Sequence, residues 1–366
     1  MIPVTKPYLP SREKLDEYLD GIYDRNWLTN NGPLVRELTQ RLEEYLGVEN
    51  LLLVANGTLA LQIAYRALGI SDAKPDETPE AITTPFTFIA TASSLKWDGI
   101  TPVFADIDSA TWCLDPENIE AAITANTRAI VPVHVFGNAC DVEGIEAVAK
   151  KYNLKVIYDA AHAFGVTYKG ESLLKHGDAA TLSFHATKLF HCTEGGAIVF
   201  KHKKDLERAR AMINFGITGP ETIEELGINA KMNELQAAMG LCVLDEMEEN
   251  LLSREKVFSY YSKALPTGLQ HQRLNISASQ NYAYVPVVLN SEKDVVLFVD
   301  RLKEEGIVAR RYFYPSLDQV DVGWPLQSTA ISREIASRIV CLPIYSSIPI
   351  KILEKITNIL AEVMDR

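Results

Sequence analysis

The chain lacks paired cysteines, long apolar runs and any excess of positive charge, and each absence removes a class of function. Its five cysteines, Cys113, Cys140, Cys192, Cys242 and Cys341, are scattered and form no CxxC pair. That spacing suits reduced thiols and not a disulfide frame or a zinc site. No uninterrupted apolar stretch reaches the roughly 20 residues that span a bilayer. The opening residues, Met1 to Lys14, have no apolar core of the signal-peptide kind. Lysine and arginine total 36 against 48 aspartates and glutamates, a formal net charge of -12. Such an acidic balance argues against a polyanion-binding surface and so against nucleic acid. A soluble cytoplasmic protein with no membrane or nucleic-acid partner is expected. A single anionic ligand stays open, because a phosphate seat needs only a few backbone amides. Without a secretory signal, the glycosylation patterns at Asn56-Gly57-Thr58 and Asn275-Ile276-Ser277 read as coincidence.

What is present is ample core material: 366 residues, 47% of them hydrophobic, enough for a large domain and a smaller one. Short apolar runs bounded by breakers read as buried strands at Leu51–Val54, Ala81–Thr83, Pro102–Ala105, Arg128–Val133 and Lys155–Tyr158. Thr181–Phe184 and Ala197–Phe200 extend the series. Between them lie helical patterns at Thr58–Leu68, Thr87–Trp97, Pro116–Ile123 and Val142–Tyr152, with Gly69 and Gly99 as stop signals. Two helices precede the first strand, the second starting at Pro33 and ending near Gly47. This βαβ rhythm predicts an α/β fold, a mostly parallel sheet of about seven strands flanked by helices. A long helix is expected from Asn233 to about Arg254. Beyond it, a strand at Tyr282–Leu289 and helices near Ser291–Glu305 and Pro349–Val363 read as a smaller α/β domain. The expected division is 1–250 and 251–366. There is no internal repeat or low-complexity tract.

Open parallel sheets bind ligands beyond the carboxyl ends of their strands, and four segments carry polar groups to that edge. Asn56-Gly57-Thr58 joins a strand to a helix, where free N–H groups, a backbone without Cβ and the Thr58 hydroxyl suit a phosphate; a plain N-cap is the ordinary alternative. Asp159 ends a buried strand, where a carboxylate can keep a pyridine nitrogen protonated. His162 follows it and can bond the ring or orient the carboxylate; a capping Asp and a packed His is the alternative. Ser183-Phe184-His185-Ala186-Thr187-Lys188 puts a lysine after a strand, placed for a Schiff base once burial lowers its pKa from about 10. Ser183 can serve a phosphate; most lysines, however, are surface lysines. Phe86, in Thr83-Thr84-Pro85-Phe86-Thr87-Phe88, can stack on a ring or simply fill the core. His185, His191 and Cys192 are too close together, and lack a carboxylate partner, for a metal site. Each signal is weak alone. Together they describe one cofactor with a phosphate, a pyridine ring and an aldehyde.

These motifs resemble those of the DegT–StrS nucleotide-sugar aminotransferases, a branch of the fold-type I enzymes that use pyridoxal 5'-phosphate (PLP). The resemblance spans nearly the whole chain. It includes Trp27-Leu28-Thr29-Asn30-Asn31-Gly32-Pro33, the four segments above, Gly227 to Ala238 and the aromatic run from Ala309 to Pro315. It implies that Lys188 carries PLP covalently and then shuttles protons. Asp159 would pair with the pyridinium, His162 would lie near the ring oxygen, Phe86 would stack on the ring, and Gly57, Thr58 and Ser183 would hold the phosphate. Asn229 resembles an asparagine that reaches the cofactor phosphate of a neighbouring subunit, implying a homodimer with shared sites. Where the family usually has Gln at position 162 and Tyr or Arg at 230 and 231, this chain has His162, Ala230 and Lys231. Thr29, Asn30, Asn31, Gly32, His185, Tyr312 and Tyr314 are expected to contact sugar or nucleotide. The implied reaction moves an amino group from L-glutamate to a nucleotide-linked keto-sugar. The closest subgroup forms dTDP-4-amino-4,6-dideoxyglucose from dTDP-4-keto-6-deoxyglucose, for a surface polysaccharide such as O-antigen. Alternatives are C3 amination, the family's sugar dehydratases, which carry His in place of the lysine, and a non-catalytic PLP-binding regulator.

Overall fold

Leu51–Val54 (β1), Glu80–Thr83 (β2), Thr101–Phe104 (β3), Thr127–Val131 (β4), Lys155–Asp159 (β5), Ala179–Ser183 (β6) and Gly196–Phe200 (β7) form a single sheet in the computed structural model. It describes residues 1–72, 77–325 and 327–365. The spatial order is β1-β7-β6-β5-β4-β2-β3. Strand β7 runs antiparallel to both neighbours and every other pairing is parallel. Hence β1 and β6 point the same way, and the carboxyl ends of β1, β2, β5 and β6 share one edge.

Side chains on a strand alternate between faces, and here both faces are covered. Leu51, Leu53, Ile82, Val103, Ile130, Val156 and Leu182 enter one core cluster, whereas Leu52, Val54, Ala81, Ala129, Val131, Ile157 and Ile198 enter another. The helices follow from that division. Arg12–Arg25 (α1) and Pro33–Leu46 (α2) precede the sheet; Gly57–Ala67 (α3), Ala90–Trp97 (α4), Pro116–Ala122 (α5) and Val142–Tyr152 (α6) are interleaved with it, and Lys203–Met212 (α7) follows its last strand. Helix α2 presents Leu34, Val35, Leu38 and Leu42 to the first cluster, and α3 presents Ala60, Leu61, Ile63 and Ala64 to the second.

The single long helix expected from Asn233 is two: Glu234–Asp245 (α8) and Met247–Ala264 (α9). Glu246 breaks them at φ -109°, ψ 15°, and its carboxylate accepts from Tyr8 Oη (2.8 Å) and the Ser11 amide (3.1 Å). No Gly or Pro marks this break, because its cause is a contact with the distant N-terminal segment. Helix α9 crosses the expected boundary at 250/251. The expected strand at Tyr282–Leu289 shortens to Pro286–Val288, paired antiparallel with Ile339–Cys341. Tyr282 sits at φ 54°, outside strand geometry, and the residues around it are tied to the sheet domain. Glu292–Glu304 (α10), Ala330–Arg338 (α11) and Ile350–Met364 (α12) complete the smaller unit, whose core includes Val287, Phe298, Leu302, Ile356 and Leu360. Sequence reading missed α11 and its following strand. All five cysteines are free and buried. Among the described residues no helix is long and apolar enough to cross a membrane.

Candidate active site

A cavity of about 750 Å³ opens at the shared carboxyl edge of the sheet. One end of it lies at the start of α3. Asn56 is extended (φ -165°) and caps the helix by accepting from the Leu59 amide at 2.9 Å. The amides of Gly57 and Thr58, at the first two helical positions, have no intrahelical acceptor and carry the positive end of the helix dipole. Both residues and Ser183 line the cavity. Gly57 is required here by close packing and not by an unusual φ: a Cβ on it would lie 2.8 Å from Ser183 Cβ and 3.0 Å from Ser183 Oγ. Gly57→Ala is therefore expected to destabilise the fold by about 1–3 kcal/mol and to weaken phosphate binding. Thermal unfolding and cofactor titration check this; a variant matching wild type in both would contradict the packing account.

Asp159, the last residue of β5, is buried against the cavity. Its Oδ2 accepts from Thr91 Oγ1 (2.8 Å) and its Oδ1 from the Ala161 amide (3.1 Å). Thr91 is itself bonded to Thr87 at 2.9 Å. Burial pushes the Asp159 carboxyl pKa up, opposed by the Thr91 and Ala161 hydrogen bonds and by the charge of Lys188. A carboxylate held by two donors, with only a lysine charge nearby, is disposed to take a further cationic N–H partner.

Lys188 follows β6 on a tight turn, in which its amide donates to the His185 carbonyl at 2.8 Å. Its Nζ donates to Tyr284 Oη at 3.4 Å, and no carboxylate lies within ion-pair distance of it among the described residues. Burial lowers the Lys188 pKa, against the opposing effects of Asp159 and Tyr312. The neutral, nucleophilic amine is thereby favoured. His162 also lines the cavity, and its Nδ1 accepts from the Phe136 amide at 3.2 Å.

Phe86 lies away from the cavity. It is fully buried, edge-on to Phe136 (6.2 Å, 83°) and to Phe313 (5.7 Å, 82°). From this segment the aromatic on the cavity wall is Phe88, 56% exposed. The expected helix from Thr87 begins only at Ala90, so residues 84–89 form an irregular turn in which sequence period gives no side-chain direction. Tyr312 and His185 line the cavity, and His185 bonds Thr187 Oγ1 at 2.8 Å. Tyr314 is turned outward, its ring 3.4 Å from the Arg311 guanidinium carbon.

Thr29–Gly32 also stand apart in this chain. Asn30 and Asn31 line a different cavity together with Arg36 and Lys231. Gly32 is needed for the buried Glu234, whose carboxylate accepts from the Leu34 (3.0 Å) and Val35 (2.9 Å) amides at the start of α2. A Cβ on Gly32 would lie 2.5 Å from the Glu234 carboxyl carbon. Asn229 is exposed, bridged to Asn214, and outside the main cavity. Sequence reading missed Thr91, Phe88, Tyr284 and Arg310, all at the cavity. Phe88 belongs to the segment it had singled out for Phe86, and Thr91 lies just beyond that segment. Arg310 lies in the Ala309–Pro315 run, whereas Tyr284 comes from the smaller unit and no local signal connects it to Lys188. No group of three or more His, Cys, Asp or Glu among the described residues could hold a metal ion.

The model of the DegT/DnrJ/EryC1/StrS aminotransferase family matches residues 11–361. The chain belongs to this family. Members are PLP-dependent, and the residues gathered here fit that cofactor: a cradle that a Cβ would fill, unpaired helix amides, a buried carboxylate and an amine without an anionic partner. A dTDP-4-amino-4,6-dideoxy-D-glucose transaminase of Shigella dysenteriae is 43% identical over 370 residues, covering 98% of each chain. An enzyme of the same name from Escherichia coli is 38% identical, again over 98% of each. The solved structure of DesI with its TDP-sugar product superposes with a TM-score of 0.92 at 34% identity, covering 100% of this chain and 93% of that one.

Proposed function

We propose that the protein transfers an amino group from L-glutamate to C4 of dTDP-4-keto-6-deoxyglucose, in the cytoplasm, supplying a surface polysaccharide such as O-antigen. The observation that carries this reading is the convergence of Lys188, Asp159 and the α3 amides on one cavity, within a family of sugar aminotransferases and beside relatives named for that product. When bound, PLP supplies an aldehyde to take up the amino group and a pyridine ring to accept electrons.

The chain's own residues then have separate tasks. The Gly57 and Thr58 amides, with the Thr58 and Ser183 hydroxyls, hold the phosphate. Asp159 would accept from the ring N–H and keep that nitrogen protonated, Phe88 would pack on the ring face, and His162 would donate to the ring oxygen. Lys188 Nζ would take a proton from the donor's Cα and, in the second half-reaction, deliver one to sugar C4. Its lowered pKa favours the neutral form that the first task needs. Tyr284 Oη lies within reach of that amine and steadies it between the two positions. Tyr312, His185 and Arg310 line the outer cavity, where the sugar and its diphosphate would be held.

The carbon aminated decides between this reading and its C3 alternative. Incubating the enzyme with dTDP-4-keto-6-deoxyglucose and L-glutamate should give a product whose NMR spectrum places nitrogen on C4. Nitrogen on C3, or no reaction with this nucleotide, would refute the substrate assignment.

The working unit is further proposed to be a homodimer with composite sites. Asn229 is exposed, beside a run of outward apolar side chains that includes Phe215, Ile223, Leu226 and Ile228. Asn229→Ala is expected to weaken PLP binding by about 10-fold, the loss of one hydrogen bond to a charged group. Cofactor titration together with sedimentation checks this; a fully active monomer would contradict it.

A further inference from the structure

The chain leaves β4 at Val131 and makes a short turn over Val135–Gly137. The turn closes through Gly137 N–H to His134 O (3.0 Å) and Asn138 N–H to Val135 O (3.1 Å). Within it Phe136 is held at φ 58°, ψ 18°. A left-handed conformation disfavours any residue with a side chain, yet the position is not glycine. Two contacts account for that. Its amide donates to His162 Nδ1 at 3.2 Å. Its ring lies parallel to His162 (6.1 Å, 4°) and to Phe313 (5.7 Å, 3°).

The next residue, Gly137, is at φ 87°, and a Cβ there would lie 3.0 Å from the His162 carbonyl oxygen and 2.8 Å from Asn281 Oδ1. Asn281 is buried and completes the frame. Its Nδ2 donates to His162 O (2.8 Å) and Phe164 O (3.1 Å), while its Oδ1 accepts from the Ala283 amide (3.3 Å). That last bond fixes which way the amide points.

A backbone N–H can only donate, so His162 Nδ1 must carry a lone pair, and the ring proton of the neutral imidazole must be on Nε2. Nε2 has no protein partner among the described residues, although the ring lines the cavity. We propose that Phe136 and Asn281 are positioning residues that hold His162 as the Nε2–H tautomer, so that a proton donor faces the ring oxygen of PLP. This rests on the reading that PLP occupies the cavity. The groups facing His162 are Lys188 from the loop after β6, Asp159 from β5 and Tyr284 from the smaller unit. Burial, reinforced by Lys188, keeps the imidazole pKa well below its ordinary value. A glutamine at 162 would also offer one acceptor to Phe136 and one donor to the cavity, so it is the conservative variant.

The test is nitrogen-15 NMR of the histidine rings in full-length protein, with and without PLP. His162 signals are assigned by their loss in His162→Gln. An unprotonated Nδ1 and protonated Nε2 between about pH 5 and 8, in both states, is the expected result. A titrating His162, or an Nδ1–H tautomer, would overturn the proposal. Phe136→Gly keeps the amide and relieves the backbone, so the tautomer should persist; its loss would assign the effect to the ring and overturn the role of the amide. Asn281→Ala should let the second tautomer appear, and an unchanged spectrum would remove Asn281 from the device. His162→Leu should weaken PLP binding by about 10-fold or more and move the absorption maximum of the bound cofactor, while His162→Gln stays near wild type. Identical spectra and affinities for all three would overturn the donor role. If wild-type protein bound no PLP, the proposed function would fail, whereas the tautomer would still be decided in the cofactor-free protein.

Discussion

Lys188→Ala is expected to leave a folded protein that still takes up PLP but turns over at least about 10³-fold more slowly. The phosphate seat at α3, the Asp159 carboxylate and the Phe88 ring do not depend on the lysine, so binding should survive without the covalent link. What disappears is an amine with a pKa lowered by burial and, on the proposed reading, the proton carrier at donor Cα and sugar C4. Borohydride should fix PLP to the wild-type chain at Lys188 and leave none attached to the variant. Added methylamine should restore part of the turnover, because a small amine can enter the space the side chain leaves. Unchanged turnover, or a borohydride label on another lysine, would refute the assignment.

Asp159→Asn is expected to lower turnover by about 10²–10³-fold, the range for losing one preorganised electrostatic contact. Asparagine is nearly isosteric: its Oδ1 can still accept from the Ala161 amide, while its Nδ2 would have to donate to Thr91 Oγ1 in place of accepting from it. The charge is lost, and with it, on the proposed reading, the partner that keeps the pyridine nitrogen protonated. Both half-reactions should slow by similar factors, because both use the ring as an electron acceptor. Single-turnover measurements with glutamate, and separately with the keto-sugar, check this. A variant within threefold of wild type in both would mean that Asp159 is only a structural residue beneath the cavity.

Much of this design is legible in the chain itself. The seven strands were readable because each is short, apolar and bounded by breakers, and because the sheet is covered on both faces. The ends of those strands led directly to Asp159, Ser183 and Lys188, since a βαβ chain must turn at the same edge each time. Less was readable where tertiary contacts govern local form. Glu246 divides α8 from α9 through bonds to Tyr8 and Ser11, more than 230 residues away in sequence. Phe86 and Phe88 differ by two positions, and only the turn that delays α4 sends the second to the cavity.

The sequence by itself determined the kind of site: a carboxylate, a lysine and a glycine-containing helix start at the ends of parallel strands. Those choices are local, because strand period, caps and breakers act over a few residues. Tertiary structure alone decided which neighbours complete it. Tyr284 reaches Lys188 across 96 positions, Thr91 reaches Asp159 across 68, and Asn281 reaches the His162 backbone across 119. No periodicity encodes such distances; they exist because the smaller unit packs over the carboxyl edge of the sheet and buries the polar groups that must then find partners there.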